Sequence, residues 1–111
     1  MPYYLFEACY TPEAIKALVA HPQDRETAVR PMIESAGGKL HHLFFCFGKT
    51  DVVALIEAPD DETMAACALT VGASGTLSSG ATMKLMTAQD AMKAMKKAQG
   101  LGAKYKSVAA A

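Results

Sequence analysis

Several features that commonly identify a function are missing from this chain of 111 residues. There is no tryptophan, and the 11 basic residues equal the 11 acidic ones, so no net charge attracts nucleic acid or a membrane surface. The sequence contains no GxSxG, phosphate-loop, dinucleotide-binding, CxxC or HExxH motif. We therefore expect neither a nucleic-acid nor a membrane partner, and no bound cofactor.

The first residues, MPYYLFEACY, lack the basic region and the cleavage site of a signal peptide. No apolar run is long enough to span a membrane. The three cysteines, Cys9, Cys46 and Cys67, are an odd number in apolar surroundings, which predicts inert buried thiols in a reducing compartment. We expect a cytoplasmic protein.

What the chain does contain is apolar sequence. Hydrophobic residues make up 51% of it, slightly more than one soluble domain needs, so part of this surplus is expected to cover a subunit interface. The length fits one domain. We assign it to residues 1–98 and assign residues 99–111, which are rich in Gly, Ala and Lys, to a C-terminal tail.

Four apolar segments are typical of strands, and each is bounded by turn residues or helix-starting residues: PYYLFEACY, KLHHLFFCF, VVALIEA and ATMKLM. The first is apolar on both faces, which predicts a central strand. Helices are predicted after Thr11-Pro12, before Gly37-Gly38, after Asp60 and after Thr87, because these residues suit helix ends. Pro31 predicts a kink or a late start in the second helix.

The order of these elements is βαββαβ with a C-terminal helix, which predicts an α+β, ferredoxin-like fold. Its four-stranded antiparallel sheet would carry helices on one face only. Because the strands are apolar on both sides, we expect the other face to pair with the sheet of a second subunit, forming a homodimeric α/β barrel.

The run GGKLHHLFFCFGKTDVVALIEAPDDETMAACALTVGASG, with YTPEAIKAL before it and MKLMTAQDAMKAMKKA after it, resembles the GYD domain family. The resemblance covers about residues 3–98. The family signature is Gly-Tyr-Asp, usually with one residue after the glycine. Here the same position reads Gly48-Lys49-Thr50-Asp51, so the glycine and the aspartate match and threonine replaces tyrosine.

This resemblance implies the dimeric α/β-barrel superfamily and leaves the activity open. Relatives in that superfamily include cofactor-independent monooxygenases, small isomerases, haem-dependent enzymes and ligand-sensing modules. A shared fold alone does not choose among these functions.

His41 and His42 are the candidate catalytic residues, because an imidazole titrates near neutral pH and can act as a general base. In a regular strand their side chains point to opposite faces, so one would face the helices and the other the barrel interior. His42 and Cys46 share a face but lie about 13 Å apart, too far to chelate a metal together. No metal site is predicted.

Asp51 follows the hairpin turn, where an aspartate commonly bonds its own backbone; the alternative is a carboxylate at the mouth of a cleft. Strand aromatics usually form core or dimer contacts, although some line apolar pockets. The candidate ligand-binding residues are Tyr4, Phe6, His42, Phe44 and Asp51.

From these residues we predict a module that binds a small hydrophobic ligand in an apolar cleft between sheet and helices. The first alternative is a cofactor-independent isomerase or monooxygenase that uses His42 or His41 as its base. The second alternative is an interaction domain whose product is the homo-oligomer itself.

Overall fold

The computed structural model describes residues 1–110. Along the chain it contains β1 (Tyr3–Tyr10), α1 (Pro12–Ala20), α2 (Arg25–Ser35), β2 (Lys39–Phe45), β3 (Val52–Glu57), α3 (Asp61–Ala73), β4 (Leu77–Leu85) and α4 (Ala88–Gln99). Two short 3-10 turns follow, at Gly102–Lys104 and Val108–Ala110. None of the described helices is both long enough and apolar enough to cross a membrane.

The four strands form one antiparallel sheet in the order β2-β3-β1-β4. This is the ferredoxin-like α+β arrangement predicted from the sequence, and β1 is an internal strand, as its two apolar faces indicated.

The helix ends follow local side-chain chemistry. Thr11, Asp24, Asp60 and Thr87 each accept a hydrogen bond from a backbone N–H in the first turn of the helix that follows. Gly37 ends the second helical segment at a φ of 84°, a conformation that glycine adopts without strain.

Of the two outcomes predicted from Pro31, a kink or a late start of the second helix, the late start is wrong. The helix α2 begins at Arg25 and continues through Pro31. Asp24 caps the helix well before Pro31, because its carboxylate accepts from the N–H groups of both Glu26 and Thr27.

The core lies between one face of the sheet and the helices α2 and α3. On β3 the buried residues alternate, since every second side chain points toward these helices, and on β1 the buried Tyr4 and Ala8 lie on that same face. The buried cluster comprises Tyr4, Ile33, Leu40, Ala54, Ile56, Ala58, Met64 and Cys67.

The opposite face of the sheet, which we call the uncovered face, has no element packed on it in the described residues. By register it carries Tyr3, Leu5, Glu7 and Cys9 of β1, Val53, Leu55 and Glu57 of β3, Ala81, Met83 and Leu85 of β4, and His42 and Phe44 of β2. Most of these side chains are apolar and remain partly exposed.

Candidate functional site

An apolar cleft opens between the sheet and the helices and holds about 50 Å³ of free space. Its floor comes from the sheet, through side chains such as Phe6, Leu43 and Ala54. Its walls come from α2 and α3, including Val29, Met32, Met64, Cys67, Ala68 and Val71. A space of this size accommodates a few water molecules or a short hydrocarbon group.

The cleft exists because small side chains face each other across the layers. Ala54 on β3 and Ala68 on α3 leave space that a larger residue would fill. Methionines line two sides of it, and an unbranched methionine side chain changes rotamer readily. The walls can therefore adapt to a ligand somewhat larger than the free volume.

One end of the cleft is polar. Arg25, Tyr10 and Thr76 line it, and Arg25 is the only charged residue among the described residues that do so. Topology explains why these three meet. The helix α2 ends near Lys39, which pairs with Glu57 at one end of the sheet. The first residue of α2, Arg25, therefore lies at the opposite end, where β1 ends and β4 begins.

The two histidines lie on the same side of the sheet, which corrects the prediction of opposite faces. The register of β2 against β3 shifts between Leu40 and His42, so His41 occupies a β-bulge. Leu40 and Leu43 both face the helices, and the extra residue between them brings His41 round to the uncovered face.

On that face the histidines have different neighbours. The His41 Nε2 lies 2.6 Å from the Glu57 Oε1, and its ring lies 5.7 Å from that of Tyr3. The ring of His42 stacks on Phe44 at 5.5 Å. Neither histidine lines the cleft. In the described residues no group of three or more His, Cys, Asp or Glu side chains is placed to hold a metal ion.

Asp51 connects the ends of three strands, because it directly precedes β3 and bonds both to β1 and to the residue after β2. Its Oδ2 accepts from the backbone N–H of Tyr10 at 2.9 Å, and its own N–H donates to the carbonyl of Ala8 at 3.0 Å. Its carbonyl accepts from the N–H of Cys46 at 2.8 Å. The sequence pointed to a turn aspartate bonding its own backbone, but the side chain bonds the neighbouring strand instead.

The remaining candidate ligand residues are divided between the two faces. Phe6 lines the cleft, whereas Phe44 lies on the uncovered face with 58% of its surface exposed. Tyr4 is buried in the core, where its hydroxyl donates to the Asp61 carboxylate. The structure does not bring Tyr4, Phe6, His42, Phe44 and Asp51 together into one site.

Tyr4, in the core, and Asp61, at the exposed start of α3, show clear electrostatic coupling. The hydrogen bond to Asp61 raises the pKa of Tyr4 to about 12, with burial adding to it. The same hydrogen bond, with a second from Lys84, lowers the pKa of Asp61. The Lys84 Nζ lies 2.9 Å from the Asp61 Oδ1. These groups anchor α3 to β1 and β4 and take no part in the cleft lining.

Burial also raises the pKa of the Cys67 thiol, which keeps that side chain neutral and unreactive in the cleft wall. Cys9 and Cys46 are only half-buried, so the expectation of buried thiols holds for Cys67 alone.

Sequence reasoning did not identify Arg25 as part of the cleft. A signal was present, since Arg25 begins a helix whose apolar stripe continues at Val29 and Met32. Residues four and seven positions apart share a helix face, so the arginine stem belongs to the face that packs on the sheet.

A family model described as "GYD domain" matches residues 4–95. No curated protein matches the chain at a significant level. Among solved structures, the chain is similar to the crystal structure of MtbAldR with a TM-score of 0.56 and 12% identity. That alignment covers 78% of this chain and 53% of the other, so the chain spans about half the length of that protein. This likeness concerns the fold.

Proposed function

The chain belongs to the GYD domain family, and on that premise we propose that it is a module that binds a small, largely apolar ligand. The ligand lies in the cleft between the sheet and the helices α2 and α3. The observation that supports this proposal is the cleft itself, whose walls are apolar along most of their length and carry a few polar groups at one end. Small-molecule sites commonly have this composition.

The proposed module is a homodimer. The uncovered face carries Leu5, Val53, Leu55 and Met83 in adjacent register positions, and a contiguous exposed apolar patch of this kind often marks an interaction surface. In a symmetric dimer, the same face of a second copy covers these apolar side chains. Dimerisation through this face leaves the cleft accessible, because the cleft is on the other side of the sheet.

The enzyme alternative has less support. A histidine base needs a pocket that brings a substrate atom within hydrogen-bond reach, and neither His41 nor His42 lines a described cavity. The interaction-domain alternative predicts the same dimer as the proposed module, but it assigns no role to the cleft. A cytoplasmic location, the absence of a nucleic-acid partner and the 99–111 tail boundary stay predictions.

The test of the proposed site is a cavity-filling pair of variants on α3. Ala68 lines the cleft and Ala65 is exposed, so Ala68→Leu fills the space and Ala65→Leu adds the same atoms to the surface. Wild-type protein is titrated with neutral amides and alcohols of three to five carbons while backbone amide NMR signals are followed. We expect shifts at Val29, Ala54 and Cys67.

Ala65→Leu should keep these shifts and Ala68→Leu should lose them, with both variants retaining the wild-type dispersion of signals. Shifts that survive Ala68→Leu, or that map only to the uncovered face, would remove the cleft as the binding site.

A further inference from the structure

Arg25 gives the cleft a chemical preference. Every other residue that lines the cleft is uncharged, and the arginine stem continues the apolar stripe of α2. Its guanidinium therefore lies at the polar end, with the apolar walls leading away from it. A ligand that fills this shape has a hydrocarbon part and one polar head.

The guanidinium is available to such a head. Its only hydrogen bond among the described residues is donated from Nη1 to the side-chain oxygen of Gln23 at 2.7 Å, and no carboxylate lies within 4.0 Å of it. A guanidinium has five N–H donors, so most of its donor capacity is unused by protein side chains.

The two nearest carboxylates in sequence are already engaged. Asp24 accepts from the N–H groups of Glu26 and Thr27 and closes the helix end. Glu26 pairs with Arg30 at 3.2 Å. Neither interaction includes Arg25, so its positive charge is available to pair with a negatively charged ligand group.

Resting on the proposed function, we propose that the ligand is a small aliphatic carboxylate whose carboxyl group pairs with Arg25. Its hydrocarbon part, of about three or four carbons for a space of this size, lies between the β-sheet and α3. A planar guanidinium binds a carboxylate through two parallel N–H donors, a geometry that a neutral amide does not reproduce. Tyr10 and Thr76 border the same end of the cleft.

The experiment compares two probes of the same shape, 2-methylpropanoate and 2-methylpropanamide, by NMR titration of the full chain at neutral pH. We expect the carboxylate to bind about tenfold more tightly than the amide, as a charge-assisted hydrogen bond predicts. Arg25→Gln should remove this preference, because it weakens binding of the carboxylate and leaves binding of the amide unchanged. Arg25→Lys should retain part of the preference.

Lys16→Gln is the matched control, because it removes one positive charge from an exposed position that does not line the cleft. It should leave both affinities unchanged. Equal binding of the two probes at the cleft overturns the carboxylate proposal and leaves the binding module intact. If neither probe nor any neutral compound shifts the cleft signals, both proposals fall.

Discussion

At the scale of single residues, Asp51 shows what the family signature does in this fold. The side chain bonds the last N–H of β1, while its backbone bonds both β1 and the residue after β2. One residue thus ties three strands together at the end of the sheet. These contacts use only Asp51 and backbone groups, so they do not involve the side chain of Thr50, which stands at the position of the signature tyrosine.

Asp51→Ala should lower the free energy of unfolding by about 1 to 3 kcal/mol, because it leaves the half-buried N–H of Tyr10 without its acceptor. Asp51→Asn keeps an acceptor oxygen in the same place and should lower the free energy of unfolding by less. Urea denaturation of the two variants measures the difference. Equal losses would mean that the charge, and not the acceptor, is what the position requires.

The sequence placed Asp51 at the hairpin correctly but did not identify its partner. A hairpin aspartate can bond its own turn or a neighbouring strand, and the choice depends on which strand lies beside it. That neighbour is β1, more than forty residues earlier in the sequence. Long-range pairing of this kind is not encoded in local residue patterns.

At the scale of elements, the junction between α2 and β2 leaves no room for a side chain at Gly38. Gly38 lies where the backbone of this junction passes over β3. A Cβ at this position would come within 2.6 Å of the Glu57 carbonyl oxygen and 3.2 Å of the Ile33 Cγ2. The helix can approach the sheet this closely because the residue has no side chain.

Gly38→Ala should destabilise the protein by about 1 to 3 kcal/mol, since the obstacle is backbone that cannot move aside cheaply. Gly48→Ala is the control, because a Cβ there meets nothing within 4 Å. Thermal unfolding of both variants tests this. A Gly38→Ala variant as stable as Gly48→Ala would show that the junction is looser than described.

The elements themselves were largely predictable, because capping residues and apolar periodicity act over a few neighbouring positions. Thr11, Asp60 and Thr87 began the expected helices, and the strands fell in the expected segments. The orientation of the histidines was not predicted correctly. In KLHHLFFCF an apolar residue both precedes and follows HH, so the sequence fits a regular strand as easily as a bulged one.

At the scale of the whole molecule, the chain is longer than a compact domain of its size. Its radius of gyration is 18.3 Å and its dimensions are 60 × 32 × 21 Å. A compact chain of about 100 residues has a radius near 13 Å. No residue of α4 is buried, so this helix is not packed into the core.

The uncovered face alone measures roughly 19 by 27 Å, from the usual strand spacing and rise. That is roughly 500 Å², less than the area of about 800 Å² that each partner contributes to a typical stable interface. In the proposed dimer, α4 supplies the remainder, through apolar side chains such as Met92 and Met95.

Leu55→Lys should therefore convert the dimer to monomer at micromolar concentration. It places a charged side chain in the apolar centre of each copy of the interface, and we expect dissociation to be favoured by about a hundredfold or more. Val19→Lys, on the exposed side of α1, should leave the dimer unchanged. Sedimentation velocity distinguishes the two. A wild-type monomer, or a dimeric Leu55→Lys variant, would contradict this face as the interface.

The bulge at His41 also restricts how β2 can align during folding. In a regular strand, a pairing displaced by two residues keeps the same side chains on the same face. Leu40 and Leu43 are separated by an odd number of positions, so only an alignment with one extra residue between them buries both. Any alignment without that extra residue exposes one leucine, so the spacing of the two leucines favours the bulge.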